Sequence, residues 1–262
     1  MSVQSIVTFV EASRSADESS AFDLALGWAG HFDARVVVLA FPADVSSRAS
    51  DDVDVAEVRA QITAQADRAA VPVAVVDRSS FAYGIGEVFA DHLKVADLGI
   101  LCGRKGPMVG ERLLAQAALF DGGRPLVIAP RRAPAAVPRR ALIAWDGTHA
   151  AARAMQDALS VLTAGSEAIV ARVTDDKDLR MDQSGIEAAH HLARHGLKAE
   201  FREVARTGRS VYVALVTAAH EAGCDLIVAG AVRHSPLHDL VFGSVTQHVL
   251  DGDCDLPVLL SA

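Results

Sequence analysis

The stretch that decides the fold is residues 225–249, DLIVAGAVRHSPLHDLVFGSVTQHV. It opens on an apolar run at 226–229, which is typical of a buried parallel strand. Gly230 follows the run, and a polar segment then leads to Gly243 and Ser244 at the start of a helical pattern. Glycines let a backbone approach an anion, and the free N–H groups of a helix start attract negative charge. The stretch therefore predicts a phosphate-binding loop at the end of a strand.

The length and composition predict two α/β domains outside a membrane. A chain of 262 residues is long for one domain, and its 51% of hydrophobic residues suits parallel sheets covered by helices. A net charge of −8 without a basic block argues against nucleic acid as a partner. No signal peptide pattern and no apolar run near the ~20 residues of a membrane span are found, so we expect no membrane partner.

Strands and helices alternate along the chain, and the alternation starts twice. This pattern predicts parallel sheets with right-handed crossovers and helices on both faces. In the first half we predict strands at 3–10, 35–41, 72–76, 97–102 and 124–129, and helices at 13–29 (capped by Ser13, Ser15 or Asp17), 55–70, 81–95 and 109–120. In the second half we predict strands at 141–145, 167–173, 198–204, 226–229 and 257–260, and helices at 150–162, 179–195, 210–222 and from 244 onward.

An internal duplication underlies this order. The segment ADLGILCG at 96–103 matches CDLIVAG at 224–230, and RPLVIAP at 124–130 matches LPVLLSA at 256–262. Between the halves, RRAPAAVPRR at 131–140 is rich in Pro and Arg and has no periodicity, which is typical of a solvated linker. We therefore predict domains at 1–130 and 140–262, joined by a linker at 131–139.

The glycine loop resembles the G-x2-G-x9-G-[ST] signature of the universal stress protein family. The resemblance is strengthened by ALIAWDGTHAAARAMQDAL at 141–159, which is similar to the family's first strand, acidic residue and first helix. It extends over nearly the whole chain as two tandem domains. The family implies a Rossmann-like fold with a five-stranded parallel sheet, ATP or AMP as ligand in many members, and pairing of two domains. Here that pairing is expected within one chain, and a further homodimer is left open.

The resemblance also implies a set of nucleotide-binding residues in the second half. An acidic side chain after the first strand would meet the ribose or adenine, neighbouring strand backbone would line the adenine pocket, and the glycine loop with its helix start would hold the phosphates. The residues are Asp146, Ala144, Val173, Gly230, Arg233, Gly243, Ser244, Val245 and Thr246. No catalytic residue and no metal requirement are implied.

Arg233 departs from the signature, because it stands where the family has its second glycine. If that position requires a positive φ, a non-glycine residue there costs about 1–2 kcal/mol. A bulky side chain would also fill the phosphate space. Conversely, a guanidinium is a good bidentate partner for a phosphate. The sequence leaves both interpretations open.

The first half carries a weaker version of the site. Glu11 stands in the place of the acidic residue, and Gly103 and Gly106 fit the first two glycine positions. The third glycine position counts to Gln116, so the last glycine and the hydroxyl that follows it are missing. We expect the first half to serve as a packing partner or to bind an apolar ligand.

The ten histidines and three cysteines are candidates for metal or redox sites. His191 and His195 are four residues apart on a predicted helix, but no third ligand is placed beside them. His234, His238 and His248 lie in or near the glycine loop, where exposed histidines are ordinary; a metal shared with Cys254 is the alternative. The cysteines show no C-x-x-C spacing, which favours a reducing cytoplasm over a disulfide framework.

Together with these patterns, the family resemblance implies a cytoplasmic stress-response protein that binds ATP or AMP in its second half and does not catalyse a reaction. The first alternative is an interaction module of the same fold, with both sites degenerate. The second alternative is an α/β enzyme, which the absence of G-x-S-x-G and of paired carboxylates disfavours.

Overall fold

The structure is a computed structural model that describes residues 2–11, 19–41, 55–77, 84–103, 109–132, 136–174, 184–231, 233–234, 241–242 and 244–262. The chain forms two compact units. One contains residues 2–136 with 250–255, and the other contains residues 137–249 with 256–262. The domain boundaries at 130 and 140 stay a prediction.

The first unit contains a five-stranded parallel sheet in the order β3-β2-β1-β4-β5. Its helices α1 and α2 pack together beside the sheet, and α3 and α4 pack together as a second pair. The strands are β1 Ser5–Glu11, β2 Arg35–Phe41, β3 Val73–Asp77, β4 Leu98–Cys102 and β5 Leu126–Ala129; the helices are α1 Ser20–Phe32, α2 Val55–Ala69, α3 Ile85–Lys94 and α4 Val109–Asp121.

The second unit repeats this topology, with strands in the order β12-β9-β6-β7-β8, again all parallel. A short antiparallel hairpin, β10 with β11, is added after β9. The strands are β6 Arg140–Ala144, β7 Glu167–Thr174, β8 Lys198–Ala205, β9 Leu226–Gly230, β10 Arg233–His234, β11 Val241–Phe242 and β12 Val258–Ser261; the helices are α5 His149–Ala158, α6 Ser184–Arg194, α7 Val211–Glu221 and α8 Ser244–Leu250.

This architecture confirms the predicted α/β fold with two Rossmann-like five-stranded parallel sheets. Strands β1, β4, β9 and β12 are almost entirely buried, as their largely apolar sequences indicate. The edge strand β8 alternates between half-buried and exposed residues, which agrees with its polar sequence KAEFREVA. Among the described residues, no helix combines the length and the apolar character that a membrane crossing requires.

Three local predictions need correction. The N-cap of α1 is Ser19, which accepts a hydrogen bond from Phe22 N, and not Ser13, Ser15 or Asp17, all of which lie outside the described residues. Helix α5 ends at Ala158 and not at residue 162. The polar segment after Gly230 contains the β10–β11 hairpin, because Arg233 pairs with Phe242 and His234 with Val241. Strands of two residues carry no periodicity that a sequence could show.

An aspartate fixes the start of the first strand in each unit. In the first unit, Asp97 Oδ2 accepts hydrogen bonds from Gln4 N at 2.8 Å, Ser5 N at 3.0 Å and Ser5 Oγ at 3.1 Å. In the second unit, the Asp225 carboxylate accepts from Arg139 N at 2.9 Å and from Arg140 N at 2.9 Å. Each aspartate directly precedes the fourth strand of its unit, so the duplication extends to this side-chain contact.

Candidate functional site

An exposed turn at Asp146 follows strand β6. Asp146 Oδ1 accepts hydrogen bonds from Thr148 N at 3.0 Å and Thr148 Oγ1 at 2.6 Å. Thr148 in turn caps helix α5, because its Oγ1 accepts from Ala151 N at 3.2 Å. Within the described part of the chain, no group donates to Asp146 Oδ2. One carboxylate oxygen therefore holds the turn, while the other is available to hydroxyl or N–H donors from outside.

Gly230, the last residue of β9, lies against the start of helix α5. A Cβ at this position would come within 2.6 Å of both Ala150 C and Ala151 N. No side chain fits there without moving the helix backbone. The missing side chain therefore lets α5 approach the sheet, and this brings the Asp146 turn next to the carboxyl end of β9. The sequence predicts that another group comes close to the backbone at Gly230, and the structure shows that the start of α5 is one such group.

Asp146 and Gly230 lie at the carboxyl ends of β6 and β9, where the sheet changes direction. From β6 the chain winds outward through β7 to β8, and it then crosses back to β9 and β12 on the other side of β6. Strands β6 and β9 are paired, with Ile143 opposite Val228. Open α/β sheets bind ligands in the crevice outside the carboxyl ends of two such strands. The turn and the glycine flank that crevice.

Arg233 lies in strand β10, with its backbone paired to Phe242. As a strand residue it has an extended backbone, which a non-glycine residue adopts without strain. Its side chain lies outside the described part of the chain, as does Gly243. The hairpin places Phe242 opposite Arg233. Helix α8 begins two residues after Phe242, at Ser244.

The remaining predicted site residues differ in exposure. Ala144 and Val245 are half-buried, and Val173 is buried at 7% exposure. Thr246 is only 2% exposed, so its side chain belongs to the core of the protein. Helix α8 also packs through His248, whose ring stacks on that of Tyr212 in α7 with centroids 4.7 Å apart.

Trp145 and Ser184 were not among the predicted site residues. Trp145 is half-buried and directly precedes Asp146, and its Nε1 donates a hydrogen bond to Ser184 Oγ at 3.0 Å. Its backbone N donates to Ala171 O at 2.8 Å, which continues the pairing of β6 with β7. The signal available in the sequence was a large aromatic residue at the end of a strand, beside the acidic residue.

In the first unit, Cys102 occupies the position of Gly230. Cys102 pairs with Ala129 at the end of β4 and β5, just as Gly230 pairs with Ser261 at the end of β9 and β12. The next N–H group donates across the same strands in each unit, from Gly103 and from Ala231. Gly103 therefore corresponds to Ala231, which corrects its match to the first glycine of the signature.

The Cys102 side chain fills the space that Gly230 leaves to α5. Its Sγ lies 3.3 Å from Oγ of Ser20, the first residue of helix α1. The following loop is also shorter, since α4 begins at Val109 and places Gln116 in the middle of that helix. The predicted third glycine position at Gln116 is therefore wrong, because α4 begins seven residues after the end of β4 whereas α8 begins fourteen residues after the end of β9. Glu11 ends β1 and is half-buried, and Gly106 lies outside the described residues.

Two histidines of helix α6 lie close together. His191 and His195 on α6 have ring centroids 4.7 Å apart, and His191 Nε2 lies 3.2 Å from Gln156 Oε1. Burial lowers the pKa of His191, and the neighbouring His195 and Arg194 lower it further. Across the described ranges, no group of three or more His, Cys, Asp or Glu side chains could hold a metal ion. His238 lies outside those ranges.

The cysteines form no disulfide bond, and all three lie in the described part of the chain. Cys224 and Cys254 are buried, and Cys102 is half-buried. Burial raises the pKa of the Cys224 thiol to about 11, so this thiol stays protonated at neutral pH.

Comparison with protein families gives a match to the second half. Residues 138–260 are similar to the model of the universal stress protein family. The match contains the Asp146 turn, Gly230 and the start of α8. A search of curated proteins gives no match to the sequence.

Solved structures share the fold over both halves. A universal stress protein from Archaeoglobus fulgidus DSM 4304 is 17% identical and has a TM-score of 0.63, and the match covers 99% of this chain and 96% of that chain. A functionally unknown protein from Pseudomonas aeruginosa PAO1 is 15% identical with a TM-score of 0.63, covering 99% of this chain and 92% of that chain. At these identities the likeness shows the fold alone.

Proposed function

We propose that the chain is a tandem universal stress protein whose second half binds ATP or AMP. The observation that carries this proposal is the position of Asp146 and Gly230 at the carboxyl ends of the paired strands β6 and β9, at the switch point of the sheet. One oxygen of the Asp146 carboxylate remains available there to a ligand hydroxyl. Both residues lie within the segment that matches the family.

Each part of the nucleotide has a proposed partner. Asp146 Oδ2 would accept hydrogen bonds from the ribose hydroxyls, and the backbone near Ala144 and Val173 would face the adenine. Arg233, Gly243 and Ser244 would meet the phosphates, with Val245 and Thr246 supporting the start of α8 by packing. A carboxylate accepting from hydroxyl groups makes a charge-assisted hydrogen bond, which is stronger than a neutral one.

The proposal describes a binding protein without a catalytic residue. Nucleotide occupancy would alter the loop and hairpin after β9, and a regulatory partner would read this change. We place the protein in the cytoplasm, which suits its unbridged cysteines. Within the chain, the two domains would supply the pairing that the family uses, and a further homodimer is left open.

Equilibrium dialysis with labelled ATP tests the proposal through Asp146→Asn. The asparagine carbonyl can still accept from Thr148 and keep the turn, while the charge and the second acceptor are lost. We expect ATP binding to weaken about tenfold or more, because hydrogen bonds to charged groups contribute about 1.5–3 kcal/mol. The matched control is Glu11→Gln at the end of β1, which should leave binding unchanged.

Arg233→Gly decides between nucleotide binding and the alternative of an interaction module. If the guanidinium holds a phosphate group, the variant binds ATP more weakly than the wild type. If it blocks the site, the variant binds ATP that the wild type does not bind, and the interaction module is favoured. The proposal is wrong if neither protein binds ATP at millimolar concentration.

A further inference from the structure

The two tryptophans of the chain lie in very different environments. Trp28 in α1 is fully buried, and its Nε1 donates to Ala136 O at 3.1 Å. Trp145 is half-buried at the carboxyl end of β6, directly before Asp146. A partly exposed indole beside the proposed ribose-binding carboxylate is not needed to fill the core. The position of Trp145 therefore points to a role in ligand binding at this site.

The orientation of the Trp145 ring is fixed before any ligand binds. Its Nε1 donates to Ser184 Oγ, and Ser184 is the first residue of α6. The start of α6 is itself held in place, because the neighbouring Gly185 packs directly against the ring of Phe201 and leaves no room for a Cβ. The backbone N of Trp145 is bound to Ala171 O of β7. Strand pairing and the helix start thus hold the indole from two sides.

This arrangement decides which part of the indole a ligand can use. Nε1–H is the only hydrogen-bond donor of an indole, and Ser184 accepts it. What the ring can still offer is its π face, which binds flat aromatic groups by stacking. Stacking does not depend on which atoms the partner ring carries, so it selects a class of ligand rather than one base.

We infer that Trp145 is the stacking wall for the base, and that the base rather than the phosphates supplies most of the affinity. The inference rests on the proposed nucleotide-binding function and specifies its ligand class as purine nucleosides and nucleotides, including those without a phosphate. On the phosphate side of the site, Arg233 stands in place of a glycine of the family signature. The base side is formed by residues of β6, β7 and α6 that are held by hydrogen bonds.

Isothermal titration calorimetry of the full chain with ATP, adenosine and tripolyphosphate tests the inference. We expect adenosine to bind within about tenfold of ATP and tripolyphosphate not to bind. Trp145→Ala should weaken both ATP and adenosine by about 5- to 150-fold, the range found when stacked aromatic residues are replaced by alanine. Trp145→Phe should keep most of the affinity, since a phenyl ring still presents a π face.

Fluorescence supplies the matched measurement. In Trp28→Phe, Trp145 is the only tryptophan, and its emission should change with adenosine at the concentrations that calorimetry gives. Should Trp28→Phe fail to fold, the calorimetric series on the wild type and the two Trp145 variants still decides. The inference is overturned if Trp145→Ala binds ATP as the wild type does and tripolyphosphate competes; ATP binding then stands without it. If the wild type binds neither ATP nor adenosine, the proposed function falls, and this inference falls with it.

Discussion

The two halves of the chain differ most where their fourth strands end. In the second half, Gly230 has no side chain, and the backbone of α5 occupies the space. In the first half, Cys102 stands at the equivalent position and places its Sγ against Ser20 at the start of α1. The same fold thus tolerates both residues, but only the glycine draws the helix start onto the strand end. The difference indicates that only the second half requires a residue without a side chain at this position.

The halves agree, by contrast, in how they tie the first strand to the fourth. Asp97 and Asp225 each hold backbone N–H groups at the start of the first strand of their unit. This contact serves the sheet and has no place near the strand ends where Asp146 lies. Features that the fold needs are duplicated, whereas features that the proposed ligand needs are not.

The largest difference in stability is expected when alanine replaces Gly230 in the second half and Cys102 in the first half. Gly230→Ala forces a Cβ into the backbone of Ala150 and Ala151, and overpacking of this kind costs about 1–3 kcal/mol. Cys102→Ala keeps a Cβ that the first half already accommodates and should cost about 1 kcal/mol or less. Chemical denaturation gives the loss of unfolding free energy. Equal losses would show that the two strand ends are packed alike, contrary to the structure.

An intermediate and equal effect is expected from Asp97→Ala and Asp225→Ala. Each substitution removes the carboxylate from one exposed and one part-buried backbone N–H group, and we expect a loss of about 1–2 kcal/mol because water replaces the carboxylate only at the exposed group. Hydrogen exchange should show faster exchange confined to the first strand of the half that carries the substitution. A large loss in one half and none in the other would contradict the equivalence of the two contacts.

The smallest effects are expected at the N-caps of α3 and α7. Ser210 caps α7 through Val213 N at 3.2 Å, whereas Gly84 begins α3 without a side-chain hydrogen bond. Ser210→Ala should lower the unfolding free energy by about 1 kcal/mol, and Gly84→Ser should raise it by only a few tenths of a kcal/mol. A gain from Gly84→Ser as large as the Ser210→Ala loss would mean that α3 needs its cap as much as α7 does.

Much of the fold could be predicted because buried parallel strands leave a clear signal. Leu226–Ala229 and the other apolar runs are continuous because both faces of each central strand are covered, and their boundaries fall within a few residues of the observed ones. Asp146 could be named because it follows the first strand of its half, at the edge of the sheet where ligands bind, and because the family resemblance implies an acidic residue there.

Other features of the fold and of the site could not be predicted, because most of them depend on contacts between residues that are distant in the sequence. The β10–β11 hairpin is too short to leave a pattern, and the sequence placed the start of α1 too early, so Ser19 was not among the residues predicted to cap it. The equivalence of Cys102 with Gly230 appears only in strand register, because the sequence alone offered Gly103 one position later. The bond from Trp145 to Ser184 spans 39 residues, and no local signal announces it.

Native mass spectrometry of the chain with ATP tests whether only the second half binds a nucleotide, because it counts nucleotides per chain. We expect one bound nucleotide in the wild type, its loss in Asp146→Asn, and no change in Glu11→Gln. Two nucleotides per chain would mean that Cys102 does not close the first half, and one nucleotide that survives in Asp146→Asn would place the site elsewhere. A wild type that binds none at saturating ATP would contradict the account altogether.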